Sequence, residues 1–265
     1  MAKMPILFIS HGGPNIVIDE SPARDYLETL GERLPTPKAI VIVSAHFETD
    51  GVAVVTDPAP EMIYDFGGFA PELYEMKYAA PGEPELAERV FGLLRDAGLG
   101  PSRIEKRGYD HGTWTPLKLA FPAATIPVVQ VSIDPNRDAA WHHALGQALS
   151  PLRDEGVLLI GSGHITHNLR ALFPIMRGGK TADPELVEQV NSFTGWFAQR
   201  LAENDREAIL DWKARAPYPA ENHPTDEHLM PIFFAYGAAG EHPRVERAHA
   251  SKQLGFFAYD SYLFH

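Results

Sequence analysis

Ala39-Ile-Val-Ile-Val-Ser-Ala45 runs straight into His46. The stretch is apolar and rich in β-branched residues, with no alternation of polar and apolar positions. A half-solvated strand would alternate; a run like this suits a strand buried on both faces, inside a sheet covered by helices. Two more runs share the pattern and also end in histidine. Pro5-Ile-Leu-Phe-Ile-Ser10 precedes His11, and Gly156-Val-Leu-Leu-Ile-Gly-Ser-Gly163 precedes His164 and His167. Further runs at 51–56 and 126–133 read as strands, and Gly255 to Phe264 as a final one. Helical periodicity lies between them. Pro22 to Leu34, Glu83 to Ala97, Ala139 to Arg153, Asp183 to Asn204 and Arg206 to Ala214 are expected helices, as is Thr225 to Gly237 with Thr225 as N-cap. Strands alternating with helices predict an α/β fold, with a central, largely parallel or mixed sheet flanked by helices. No linker, repeat or charge block divides the chain, so one domain over 1–265 is expected.

Composition narrows the class. A formal net charge of -12 argues against nucleic acid or an anionic membrane as partner. The absence of cysteine excludes disulfides, thiolate metal ligands and cysteine nucleophiles. The N-terminal apolar run is too short for a signal-peptide core, and no stretch approaches the about 18 apolar residues of a membrane span. A soluble, cytoplasmic protein is the expectation. Nothing in the pattern specifies an oligomeric state.

The histidines carry the chemistry. In open α/β sheets, ligands bind beyond the carboxyl ends of the strands, and parallel strands would deliver His11 and His46 there together. A lone strand-end histidine is most often a hydrogen-bonded loop residue. Two on neighbouring strands, with His164 and His167 after a third, favour a metal site. Asp110-His111-Gly112-Thr-Trp114 reads either as an Asp-His pair capping a loop or as an acid/base histidine. His223-Pro-Thr-Asp-Glu227-His228 offers a carboxylate, or His228 itself, as a further ligand. The glycines of Gly161-Ser-Gly163 suit close approach of backbone to a ligand. His142, His143, His242, His249 and His265 read as structural or surface residues. No Gly-x-Ser-x-Gly elbow and no His-Glu-x-x-His occur, which disfavours α/β-hydrolase and common zinc-protease chemistry.

Taken in order, these segments resemble one family. Phe8-Ile-Ser-His11-Gly-Gly-Pro14, Val43-Ser-Ala-His46-Phe47, Tyr64-Asp-Phe-Gly-Gly-Phe69, Tyr78-Ala-Ala-Pro-Gly82 and Gly108-Tyr-Asp-His-Gly-Thr-Trp114 come first. Pro127-Val-Val-Gln-Val-Ser132, Gly161-Ser-Gly-His-Ile-Thr-His-Asn-Leu169 and His223-Pro-Thr-Asp-Glu-His-Leu-Met-Pro231 follow. Together they resemble the DODA-type branch of the class III extradiol ring-cleavage dioxygenases, within the protocatechuate 4,5-dioxygenase beta-subunit superfamily. The resemblance implies a mononuclear non-haem metal on an α/β sheet. It implies His11, His46 and His228 as metal ligands, with His228 rather than the neighbouring Glu227 as the third. His167 matches an acid/base histidine that some zinc-bound members recruit as a fourth ligand, and His111 a histidine that contacts substrate or oxygen. His164 and His223 are expected nearby as further ligand or supporting residues.

The implied reaction is extradiol cleavage of a catechol, DOPA-like or related, with dioxygen as co-substrate. Fe(II) is the expected metal for activity, and Zn(II) a plausible occupant of an all-histidine site. Tyr64, Phe66, Phe69 and Trp114 are expected to form an aromatic wall around the small aromatic diol. A zinc-dependent hydrolase and a non-catalytic metal- or peptide-binding protein are the alternatives on the same fold.

Overall fold

The computed structural model describes residues 3–178 and 181–265. Its strands are β1 (Ile6–Ser10), β2 (Ala39–Glu48), β3 (Ala53–Val55), β4 (Ser102–Ile104), β5 (Val128–Ile133), β6 (Val157–Gly163), β7 (Val245–His249), β8 (Lys252–Gln253), β9 (Phe257–Ala258) and β10 (Ser261–Phe264). Eight of them form one mixed sheet in the order β4-β3-β5-β2-β6-β1-β10-β7, and β8 and β9 form a small hairpin. The centre, β5-β2-β6-β1, is parallel. At the β1 edge the chain turns antiparallel through β10 and β7, and β3 is antiparallel to β5. The α/β expectation holds.

β1, β5 and β6 are buried at every position, and β2 from Ala39 to Ala45, as their unbroken apolar runs require. The runs do not encode their neighbours. β1 and β2 are not adjacent, because β6 lies between them and pairs with both. The two strand-end histidines therefore flank a third strand, which places Ser162 and Gly163 of β6 between them.

Helix Met230–Ala238 is buried throughout and packs on β6, β1 and β2, with helix Ala139–Leu149 against it. The two helices approach closely because glycines face backbone there. A Cβ on Gly146 would lie 2.0 Å from the Phe234 carbonyl oxygen, and one on Gly237 1.9 Å from that of His143. Helix His111–Ala120 packs on β2 and β6, and helix Pro22–Arg33 packs on it. Ser21 caps Pro22–Arg33, and Asp183 caps Pro184–Glu203, which ends at Asn204 in the left-handed region.

Several boundaries differ from the sequence expectation. The helix expected from Thr225 starts at Met230, and Thr225 instead donates to Glu227. The His228 carbonyl is tied to the His164 amide (2.8 Å), over Gly163, where a Cβ would sit 2.2 Å from that oxygen. This anchor holds 224–229 in turns and leaves His228 just ahead of the helix. Pro151 converts the end of the expected Ala139–Arg153 helix into a 3-10 turn. The segment Arg206 to Ala214 breaks at Asp211 into two short helices. Helices His111–Ala120 and Leu169–Gly178 carry internal Pro116 and Pro174 and were not anticipated. No helix among the described residues is long and apolar enough to cross a membrane.

Candidate active site

Three imidazoles meet beyond the carboxyl ends of the central strands. His11 follows β1, its amide continuing the ladder to the Gly163 carbonyl (3.0 Å). His46 sits near the end of β2, and His228 comes from the anchored turn. Nε2 of His46 lies 3.1 Å from Nε2 of His11 and 3.2 Å from Nε2 of His228. The three side chains have the spacing of a metal-holding group.

The outer ring nitrogens show where the protons are. Ser162 donates its hydroxyl proton to the Gly112 carbonyl, so its oxygen accepts from His11 Nδ1 (3.1 Å). That carbonyl is free because residue 116, which would bond to it within the helix, is proline and has no N–H. His228 Nδ1 donates to the Glu227 carboxylate (3.1 Å), which can only accept. His46 Nδ1 faces Asp65 Oδ2 at 3.6 Å. Burial, reinforced by the neighbouring imidazoles, pushes His11 and His228 well below the ordinary histidine range. Burial likewise lowers His46 to about 4. All three rings are neutral at pH 7, and Nε2 of His11 and His228 both present lone pairs toward His46. A proton on His46 Nε2 can satisfy only one of them. A divalent cation satisfies all three, and outer Nδ1–H groups donating to protein acceptors are the usual support of metal-binding histidines. The donor set fits a metal.

Glu227 lies on the outer side of the His228 ring, so the inner nitrogen at this position belongs to His228. The His167 ring stacks on His228 with centroids 3.4 Å apart, its Nδ1 3.8 Å from Glu227. Burial, then His164 and His223, lowers His167 to about 2. The His111 ring lies 4.0 Å from that of His46. Asp110 caps the helix that begins at His111, accepting from the Thr113 amide (3.0 Å) and from Ser44 Oγ (2.7 Å). Asp65 accepts from the His111 amide (2.9 Å) and from His111 Nδ1 (3.0 Å). Burial alone would raise the Asp65 carboxyl, but these hydrogen bonds and the facing imidazoles hold it down at about 2.

A cavity of about 330 Å³ opens over these rings. Phe66 and Phe69 line it, and helix Leu169–Gly178 contributes Leu172, Phe173 and Met176. Tyr64 does not line it. Its hydroxyl donates to the Met76 carbonyl (2.8 Å) and it faces a separate surface depression. Trp114 is fully buried behind Phe66, on the core side of its helix. His223 is also outside the cavity. Its Nε2 donates to the Ile165 carbonyl (2.9 Å), bracing the loop that carries His164 and His167. His164 does line the cavity, between Phe257 and Tyr259, with both ring nitrogens buried and without a partner among the described residues. Asp65, Ser162 and the polar rim of Asn15, Gln253 and Tyr259 were missed in the sequence. For Asp65 the signal was a single carboxylate amid the aromatic side chains of Tyr64-Asp-Phe66.

Comparison with known proteins identifies the family. Residues 3–259 match the family described as the catalytic LigB subunit of aromatic ring-opening dioxygenase. The chain is 42% identical over 261 residues to the 4,5-DOPA dioxygenase extradiol of Beta vulgaris, covering 97% of this chain and 95% of that protein. It is 36% identical over 253 residues to the 4,5-DOPA dioxygenase extradiol of Escherichia coli (strain K12), covering 89% and 85% respectively. The crystal structure of an uncharacterized protein from Escherichia coli K12 superposes with a TM-score of 0.81 at 30% identity, covering 99% of this chain and 100% of the other. The chain therefore belongs to the family of the catalytic LigB subunit of aromatic ring-opening dioxygenases.

Proposed function

We propose that this protein cleaves the ring of a DOPA-like or related catechol beside the diol, with His11, His46 and His228 holding Fe(II). Membership in the family makes it an extradiol dioxygenase, with an aromatic substrate and dioxygen as reactants. The observation that carries the metal assignment is the convergence of three Nε2 atoms with at most one proton among them. The relatives named 4,5-DOPA dioxygenase extradiol make DOPA the first catechol to try. The same names favour ring cleavage over the hydrolase and binding-protein alternatives. Three neutral nitrogens also accommodate Zn(II), which would occupy the site without redox chemistry.

Bound iron supplies Lewis acidity toward the catechol oxygens and the redox step to dioxygen. The protein residues do the rest. His167, neutral and stacked beside His228, accepts a hydrogen bond from a catechol hydroxyl as the diol docks, and the negative charge of the ionising diol beside it raises its basicity so that it takes the proton. His111, its ring 4.0 Å from that of His46, faces the catechol's other hydroxyl. Phe66, Phe69 and the Leu169–Gly178 helix flank the ring and exclude water.

The test is anaerobic loading with Fe(II), metal analysis, then a catechol panel in air. A ring-opened product absorbing in the near-ultraviolet to visible is expected. His11→Ala should lose the metal, whereas His167→Ala should keep most of it and lose turnover. Unchanged catechols with iron confirmed bound would refute the function, and full metal content in His11→Ala would refute the ligand set.

A further inference from the structure

Asp65 is bound to His111 at two points. Its Oδ1 takes the backbone amide at the start of helix His111–Ala120, and its Oδ2 takes Nδ1 of the ring. The same Oδ2 lies 3.6 Å from Nδ1 of His46. A carboxylate at neutral pH offers no proton, so His111 must carry its hydrogen on Nδ1. Its Nε2 then holds a lone pair, and that nitrogen has no hydrogen-bond partner among the described residues, although His111 lines the cavity. We propose that Asp65 is a positioning residue that locks His111 as the Nδ1–H tautomer, so that His111 meets the substrate only as a hydrogen-bond acceptor. On the proposed function, the group it accepts from is a catechol hydroxyl. The same Oδ2 lies beside Nδ1 of His46, a proposed metal ligand, so the one carboxylate holds the acceptor next to the proposed metal.

Asp65→Asn separates this role from a merely structural one. The amide Oδ1 can keep the bond to the His111 backbone, while its NH₂ group turns toward His111 Nδ1 and demands a lone pair there. The hydrogen must then move to Nε2 and block the acceptor.

The primary readout needs no metal and no turnover. Ring-nitrogen NMR on the metal-free, ¹⁵N-histidine-labelled protein, with His111 assigned by loss of its signals in His111→Gln, reports the tautomer directly. The expected result is Nδ1–H in the parent and Nε2–H in Asp65→Asn. With iron content unchanged, kcat should fall on the order of 10²–10⁴-fold, the usual worth of a positioned base in the right tautomer. Asp65→Glu, which keeps an acceptor-only group, should retain the Nδ1–H tautomer and recover part of the rate.

An Nε2–H tautomer in the parent would overturn the proposal whether or not the variant folds. So would a flipped tautomer in Asp65→Asn with kcat within about threefold of the parent. A parent that binds iron yet cleaves no catechol would instead overturn the proposed function, while the NMR result would still decide the tautomer lock.

Discussion

Gly112→Ala tests whether close packing under the histidines holds the metal site together. Gly112 is the second residue of helix His111–Ala120, and its backbone conformation is open to any residue. An added Cβ would lie 2.6 Å from Ser44 Oγ, 2.9 Å from His46 Cδ2 and 3.2 Å from His11 Cε1. Ser44 cannot yield easily, because its hydroxyl is bonded to the buried Asp110 carboxylate at 2.7 Å. Two effects compete. Replacing Gly by Ala in a helix gains up to about 1 kcal/mol. Forcing a methyl into a filled core costs about 1–3 kcal/mol. The metal-free protein should therefore lose no more than about 3 kcal/mol, and it should fold. Metal binding should suffer more, because the displaced atoms belong to two of the three proposed ligand rings, His46 and His11. A loss of about 10–100-fold in affinity is expected, the range for disturbed support of metal ligands. Calorimetric titration with Zn(II) and denaturant melts of the metal-free protein measure the two quantities separately. Gly92→Ala is the control, since a Cβ there meets nothing within 4 Å in helix Pro84–Asp96, and it should stabilise slightly and leave metal affinity unchanged. Parental metal affinity in a folded Gly112→Ala protein would refute the reasoning.

Acid should destabilise the metal-free protein well above the carboxylate range. Burial lowers His142 from 6.5 to about 4, with Nδ1 donating to the Asp138 carbonyl and Nε2 facing the Asp134 amide. The unfolded chain takes up this proton first as pH falls, so stability is constant above pH 6.5 and drops from there toward pH 4. His142 alone accounts for about 2 kcal/mol at pH 5. Urea melts at pH 7 and 5 should show the loss, smaller in His142→Gln; an equal loss in both proteins would exclude His142 as its source. Phe173 and Met176 are 43% and 49% exposed where they line the cavity, so substrate should cover them. Phe173→Ala should raise KM about fivefold, with little change in kcat, in steady-state assays on the cleaved catechol; an unchanged KM would place the substrate elsewhere. Pro116→Ala restores an N–H that competes for the Gly112 carbonyl and so loosens the Ser162 support of His11. Titration should show about tenfold weaker metal binding, and unchanged affinity would break the proposed link from Pro116 to His11.

The strands and their terminal histidines were readable because a strand buried on both faces must be apolar throughout, and its end is where polar chemistry begins. Strand order was not, since the runs of β1, β2 and β6 look alike and nothing in them says that β6 stands in the middle. Prolines hid two helices. Pro116 sits where its missing N–H leaves the Gly112 carbonyl to Ser162, so the feature that concealed the helix also supports the site. Tyr64 and Trp114 were expected in the cavity because aromatic residues commonly line such sites, yet composition says nothing of which way a ring points. His223 sits in the right motif and does its work one step away, through the Ile165 carbonyl. Asp65 lies in a loop without periodicity, and only the folded chain brings it to His111.

Loaded with iron, the proposed three-histidine site should insert both atoms of dioxygen into a catechol ring. Mass spectrometry of the product formed from DOPA and a panel of simpler catechols under ¹⁸O₂ tests it most directly. Ring cleavage predicts a product heavier than its substrate by both labelled oxygen atoms, less any label that exchanges with water from the new aldehyde. An iron-loaded protein that left every catechol intact, or that took its added oxygen only from water, would contradict the account.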